Sequence, residues 1–249
     1  MKIIYKVKFH PLFYITAMLM LFTGYFKDFS LFLIIVMFHE LGHVLAGLIF
    51  KWKIKSINVL PFGAITIFDE GLTKSLLEEF VISIMGPLFQ IIIYNLLRLR
   101  YNVFFIHYSL LIFNLLPIIP LDGSKILSVI LNLFFPFKKS LFVSIILSII
   151  LVILSFISCF YHFNLVFILV LLFLLVKVFN EFSSINYIMN RFFYEKYYFP
   201  KSYKRKKVIN GKNINKLFKE RSHIFKVGNN YYTEHEILRK RFDFKGKLW

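Results

Sequence analysis

Cysteine is all but missing from this chain: Cys159 stands alone among 249 residues. One thiol excludes an intrachain disulfide framework and any zinc site built on cysteine, so a metal here would have to be held by His, Asp or Glu. Acidic residues are scarce too, 13 against 31 Lys and Arg, for a formal charge of +18. Alanine is nearly absent from the apolar segments, whereas phenylalanine occurs 33 times. Nothing in helix packing demands that exchange. It is what an AT-rich coding sequence produces, and the aromatic stripes therefore carry little functional information.

What is abundant is apolar: 58% of the residues are hydrophobic, well above the usage of a soluble domain. Most of the chain is expected in a bilayer. A charge of +18 could in isolation point to nucleic acid. The cations, however, gather at the N-terminus, in short loops and after Pro200. That is the pattern of a polytopic protein with its basic loops on one side, and no nucleic-acid partner is expected.

Apolar runs near the roughly 20 residues needed to cross a bilayer fall at 11–26, 29–50, 76–97, 102–121, 140–159 and 163–180. The first follows Lys2, Lys6 and Lys8 like the head of a signal peptide, but "MLFTGYFKDF" offers no small-residue cleavage site, so it reads as a retained helix. Threading six spans from a cytosolic N-terminus leaves Lys27, Arg98 and Arg100 on the far side and every other basic residue inside, which predicts that both termini are cytosolic.

The expected fold class is thus membrane, all-α and polytopic: about six transmembrane helices, a short membrane-associated β-hairpin and a small α+β cytosolic tail. The domains expected are 1–195 and 196–249. The hairpin is read at Ile57–Phe68, where apolar residues alternate around Pro61 and Gly63; a plain loop is the competing reading. Ser75 and Glu78 have the spacing of a capping box at the head of the third span.

The chemistry concentrates in "HELGH". His39 and His43, four apart, share one helix face with Glu40 beside them, the spacing that lets two imidazoles take one Zn²⁺ while the carboxylate acts as base. Ionisable side chains at membrane depth need partners and usually mark function. A catalytic zinc needs a third protein ligand, and the candidates are Asp122, His107 and His162. The two histidines lie toward the far side of the membrane in this threading, where an interfacial or core histidine is the plainer reading. Asp122 lies near the end of "NLLPIIPLDGS", Asn114 to Ser124, whose prolines break a helix at membrane depth. Such backbone is tolerated where protein or a water-lined cavity satisfies it.

"HELGH" in the second span, "MGP" (Met85 to Pro87) in the third and "NLLPIIPLDG" closing the fourth together resemble the site-2 protease family of intramembrane zinc metalloproteases, peptidase M50. The six-span plan and basic tail look most like its sporulation branch, the stage IV sporulation protein FB type, whose members cleave membrane-tethered pro-sigma-K. The resemblance covers roughly residues 1–195. It implies zinc ligation by His39, His43 and Asp122, an acid/base role for Glu40, and contact of Asn114 with substrate or the oxyanion. Gly86 and Pro87 would also line the substrate, and Ile65 would lie on the hairpin edge that holds it extended. Gln90 and Ser124 depart from the family pattern.

The partners implied are a membrane-tethered substrate of the pro-sigma type, membrane inhibitor proteins and a homo-oligomer; the localisation implied is a bacterial multi-pass membrane protein. The tail, read as strand, helix, two strands and helix, looks like one shortened CBS unit, which would make ATP its ligand. The alternatives are a non-proteolytic metal transporter or scaffold, and a tail that attracts anionic lipid. A transporter has no need of Glu40 between the histidines and usually shows repeated halves, which this chain lacks.

Overall fold

The computed structural model describes residues 7–60, 63–69, 71–98, 103–159 and 165–243. The chain forms two compact units. The first comprises Met1–Glu70, Glu78–Leu116 and Leu121–Ile126; the second comprises Gly71–Leu77, Pro117–Pro120 and Leu127–Trp249.

In the first unit, strand β1 (Val7–Phe9) leads into helices α1 (Pro11–Phe22) and α2 (Phe26–Ile49), and strands β2 (Ile54–Leu60) and β3 (Gly63–Phe68) follow. β2 and β3 pair antiparallel, with Asn58 opposite Ile65 and Leu60 opposite Gly63, so the hairpin reading holds over the loop. The expected hairpin is in fact part of a three-stranded sheet, because β1 pairs parallel to β2. Three residues of strand are too short for a period-two pattern to announce them. β3 is an edge of this sheet among the described residues.

Helices α3 (Leu76–Leu97) and α4 (Phe104–Leu115) complete the framework. Leu31, Ile35 and Val36 of α2 meet Val103 and Leu110, with Ala64 of β3 and Tyr94 of α3 packed against them. In lipid such contacts hold helices by close packing, since the alternative neighbour is equally apolar.

Among the described residues three helices are long and apolar enough to cross a membrane: α2, α3 and α6 (Phe137–Cys159). A fourth span results if α7 (Leu165–Ser183) and α8 (Ile185–Tyr198), bent by 53° at their junction, are taken together. The two other spans expected, at 11–26 and 102–121, coincide with the 12-residue helices α1 and α4. At ~1.5 Å per residue each is about 18 Å long, short of the ~30 Å of hydrocarbon. Gly24, at φ 81°, lies just beyond the end of α1, and the backbone beyond α4 turns irregular at Leu116 and Pro117.

Within the second unit, the Ser148 hydroxyl accepts from the Ile119 N–H and donates to the Ser144 carbonyl one turn back on its own helix. Ser140, Ser144 and Ser148 form a buried stripe at four-residue spacing along α6, and Ser144 bonds Ser128 of α5 (Asp122–Phe134). Small hydroxyl residues let two helices approach closely while pairing their polar atoms.

The tail is α+β, in the order expected, its first helix reduced to a 3₁₀ turn at Ile214–Lys216: β4 (Lys206–Asn210) pairs parallel to β5 (Ser222–Val227), which pairs antiparallel to β6 (Asn230–Thr233). A Thr233/Glu236 capping box starts α9 (Glu234–Phe242). The first turn of α3 has partners that the sequence did not suggest. Glu78 accepts from the Trp52 indole, and the Leu76 N–H is taken by Glu220.

Candidate active site

The i,i+4 geometry of α2 brings the His39 and His43 rings to 4.9 Å, and both are buried. Asp122, first residue of α5, enters between them. Its Oδ2 lies 2.9 Å from His39 Nε2 and 3.0 Å from His43 Nε2, and the two Nε2 atoms are 3.1 Å apart.

The other ring nitrogens fix what these three atoms are. His43 Nδ1 is 2.7 Å from the Ile82 carbonyl, which can only accept, so Nδ1 carries the proton and Nε2 of the neutral ring a lone pair. Gln90 donates through Nε2 to the His107 carbonyl, turning its Oε1 toward His39 Nδ1 at 3.0 Å. His39 Nε2 is therefore also an acceptor. Two nitrogens and a carboxylate oxygen form a triangle with sides of 2.9–3.1 Å. Tetrahedral zinc with bonds near 2.0–2.1 Å places its ligands about 3.3 Å apart, so this set suits one Zn²⁺ and leaves a fourth position for water or substrate. The partners on Nδ1 are the kind that orient metal-binding histidines.

Glu40 is buried beside the pair, and a ligand atom of His39, Glu40 and His43 each lies within 4.8 Å of the others. Its Oε2 accepts from the Thr66 hydroxyl on edge strand β3. Lys125, one helical turn after Asp122, donates to Oδ1 at 3.0 Å, so only Oδ2 is left to face the imidazoles. A cation that neutralises the outer half of a buried carboxylate offsets part of its desolvation cost.

Gly86 of α3 lies directly against the histidines, where a Cβ would collide with Nε2 of both His39 and His43. Gly42 is its counterpart on α2, where a Cβ would collide with the Met85 carbonyl. Glycine at both positions lets the two helices close over the site, which gives the middle of "HELGH" and "MGP" a packing reason. Pro87 follows inside α3 and lacks the N–H that its helical position would donate.

Ile65 is half-buried on β3, one residue before Thr66 and thus on the opposite face of the strand. Asn114 is half-buried near the end of α4, and no hydrogen bond joins it to the triangle among the described residues. Of the three candidates for the third ligand, Asp122 is brought to the histidines. His107 instead stacks its ring on Tyr94 at 4.0 Å, and His162 lies outside the described residues. Sequence reasoning missed Thr66 and Lys125 and read Gln90 only as a departure from pattern. Lys125 could have been found from its spacing to Asp122, whereas nothing local marks Thr66.

Residues 29–99 match the model of Peptidase family M50. The stage IV sporulation protein FB of Bacillus subtilis (strain 168) is 34% identical over 211 residues, 79% of this chain and 73% of that protein. A zinc metalloprotease of Methanocaldococcus jannaschii is 33% identical over 126 residues, 45% of this chain and 36% of that one. The solved site-2 protease from Methanocaldococcus jannaschii shares the fold, with a TM-score of 0.57 and 24% identity over 70% of this chain and 89% of that chain. Fold, site and relatives together define the class: a zinc metalloprotease of the intramembrane kind. Within that class, the chain belongs to Peptidase family M50, the site-2 protease family.

Proposed function

We propose that His39, His43 and Asp122 hold one zinc ion and that Glu40 is the acid/base for hydrolysis of a peptide bond in a membrane-tethered regulatory protein, a pro-sigma factor of the pro-sigma-K type made during sporulation. The observation that carries this reading is the triangle of three acceptor atoms, 2.9–3.1 Å on a side, with both Nδ1 positions already committed elsewhere. Bound zinc would polarise the scissile carbonyl and lower the pKa of its water toward about 7. Glu40 would take a proton from the attacking water on Oε1 and return it to the leaving amine, while Thr66 holds Oε2. Likeness to the Bacillus subtilis sporulation protein supports the choice of substrate.

A helix hides its peptide bonds, so the substrate must unwind before attack. β3 offers an edge on which an extended segment can add as a further strand, and Thr66 ties that strand to the base. Ile65 belongs to this edge, and Gly86, Pro87 and Asn114 complete the substrate's surroundings. Replacing Ile65 by Pro should impair cleavage with zinc content unchanged; equal processing would sink the role of the edge.

The domain division at 195, a membrane inhibitor and self-assembly belong to the same proposal, as does the cytosolic placement of both termini, which the basic loops support. ATP as a ligand of the tail is part of the proposal, and a cavity of about 320 Å³ bordered by Lys201, Tyr203, Lys206, Glu234 and His235 is its candidate seat. Titrating ATP against the full-length protein tests this, and no binding removes it.

The deciding experiment compares membrane proteomes of wild type and Glu40→Gln through growth and sporulation, at equal expression and equal bound zinc. One tethered protein accumulating uncut in the variant is the expected result. Unchanged proteomes with zinc retained would remove Glu40 from the reaction.

A further inference from the structure

The second unit carries a groove of about 790 Å³ that takes no part in the proposed chemistry. Phe134, Phe135, Lys138 and Lys139, at the junction of α5 and α6, form one part of its wall, and Lys207 and Lys216 form another. Among the described residues four lysines and no acidic residue line it. Among the described residues no ion pair joins these lysines to a carboxylate.

Aromatic rings hold two of these cations instead. Lys139 Nζ sits 4.5 Å from the Phe135 ring centre and Lys207 Nζ 4.0 Å from that of Phe218, a ring that also carries the Arg221 guanidinium at 4.4 Å. Cation–π contact attracts but does not neutralise. Partial burial and the nearby Arg221 push the Lys207 ammonium below its usual range, as expected where positive charges crowd together. The groove is complementary to an anion.

Its position selects which anion. α6 is a candidate membrane span beginning at Phe137, so the groove lies where hydrocarbon gives way to water. Phe134, at its rim, is 69% exposed. A soluble phosphate compound would engage the lysines and leave that ring facing water. An amphiphile satisfies both, its charged head on the lysines and its apolar part against the phenylalanine. We propose that this groove binds an anionic phospholipid, with Lys138, Lys139, Lys207 and Lys216 around the headgroup phosphate and Phe134 against the start of the acyl chains.

The test uses the full-length protein in nanodiscs of phosphatidylcholine doped with phosphatidylglycerol, followed by native mass spectrometry of the lipid that stays bound. Wild type should retain phosphatidylglycerol selectively. The triple variant Lys138→Ser, Lys139→Ser, Lys207→Ser should lose it by about five-fold per lysine, the change that ~1 kcal/mol for each surface cation gives. The corresponding Lys→Arg triple, and a control triple at the exposed Lys204, Lys212 and Lys226, should behave as wild type. Where the serine triple fails to fold, Lys139→Glu alone, at an exposed side chain, should still lower retention. Equal retention in the groove variants, or an equal loss in the control triple, would overturn the site. Displacement of the lipid by inorganic phosphate or ATP would overturn the lipid assignment in favour of a soluble phosphate ligand.

Discussion

Each unit buries a dense cluster of ionisable side chains, and these two clusters are built on opposite principles. In the tail, Lys196 Nζ lies 3.2 Å from Glu234 Oε1, and His223 Nδ1 donates to Glu234 Oε2 at 2.8 Å. His223 Nε2 accepts the Phe218 N–H, so both ring nitrogens have complementary partners. Donor meets acceptor and cation meets anion at every step, which is how a structural network is satisfied. Around His39, His43 and Asp122 three acceptors face one another instead. A set of that kind is complementary to a cation, and it is where a ligand belongs. Burial and charge alone would not have told the two clusters apart; the direction of each hydrogen bond does.

The comparison can be broken at four places. Asp122→Ala removes one corner of the triangle and leaves Lys125 without its anion. Bound zinc should fall below detection in metal analysis, and cleavage of a tethered substrate should drop to background. Retained zinc would mean that another side chain is the third ligand.

Lys125→Met keeps the triangle and removes only the partner of Oδ1. Groups that orient a ligand from behind typically change metal affinity by about 10–100-fold, so competition with a chromophoric chelator should show weaker zinc binding. Lys125→Arg should restore it, since either cation can donate to Oδ1.

His223→Ala opens the tail network, leaving the Phe218 N–H and one Glu234 oxygen without partners. The cost should be about 1–3 kcal/mol, read as faster hydrogen exchange in β5 and α9. Zinc content should not move. A loss of zinc would show that the two clusters are energetically linked.

The smallest effect is that of pH on the tail. Burial pushes the His223 imidazole below its usual range, outweighing the pull of Glu234, while His223 and Lys196 hold the Glu234 carboxyl below its own. Both folded-state values are depressed, so both contributions are present above the unfolded values and are lost as pH falls. Protection of β5 should weaken first as pH drops below about 6.5, where the unfolded histidine gains a proton, and again below about 4.3, where the unfolded glutamate does. Protection unchanged between pH 7 and 5 would show that His223 is not held neutral.

Much of this was legible before the fold. The His39/His43 pair follows from helical spacing, and the break at "LLPIIP" announced Asp122 because prolines at membrane depth need a reason. The alternation around Pro61 and Gly63 carried the hairpin. Other features were illegible for physical causes. β1 is three residues long and gains its partner across two helices. Two of the six expected spans proved to be 12-residue helices, because apolar composition continues through backbone that Gly24 and Pro117 interrupt. Ser148, which takes the Ile119 N–H of that interrupted backbone, is one serine among several in an apolar run.

By itself the sequence determined whatever a repeat of a few residues can specify: which segments are apolar, which side chains share a helix face, where the backbone breaks. Only the tertiary structure decided that Asp122 Oδ2 stands between both imidazoles, that Gln90 and the Ile82 carbonyl set their tautomers, and that Thr66 of an edge strand holds Glu40. The reason is separation along the chain. Local periodicity acts over one or two turns, whereas these contacts join residues 26 to 83 positions apart and form only once the helices have packed through Gly42 and Gly86.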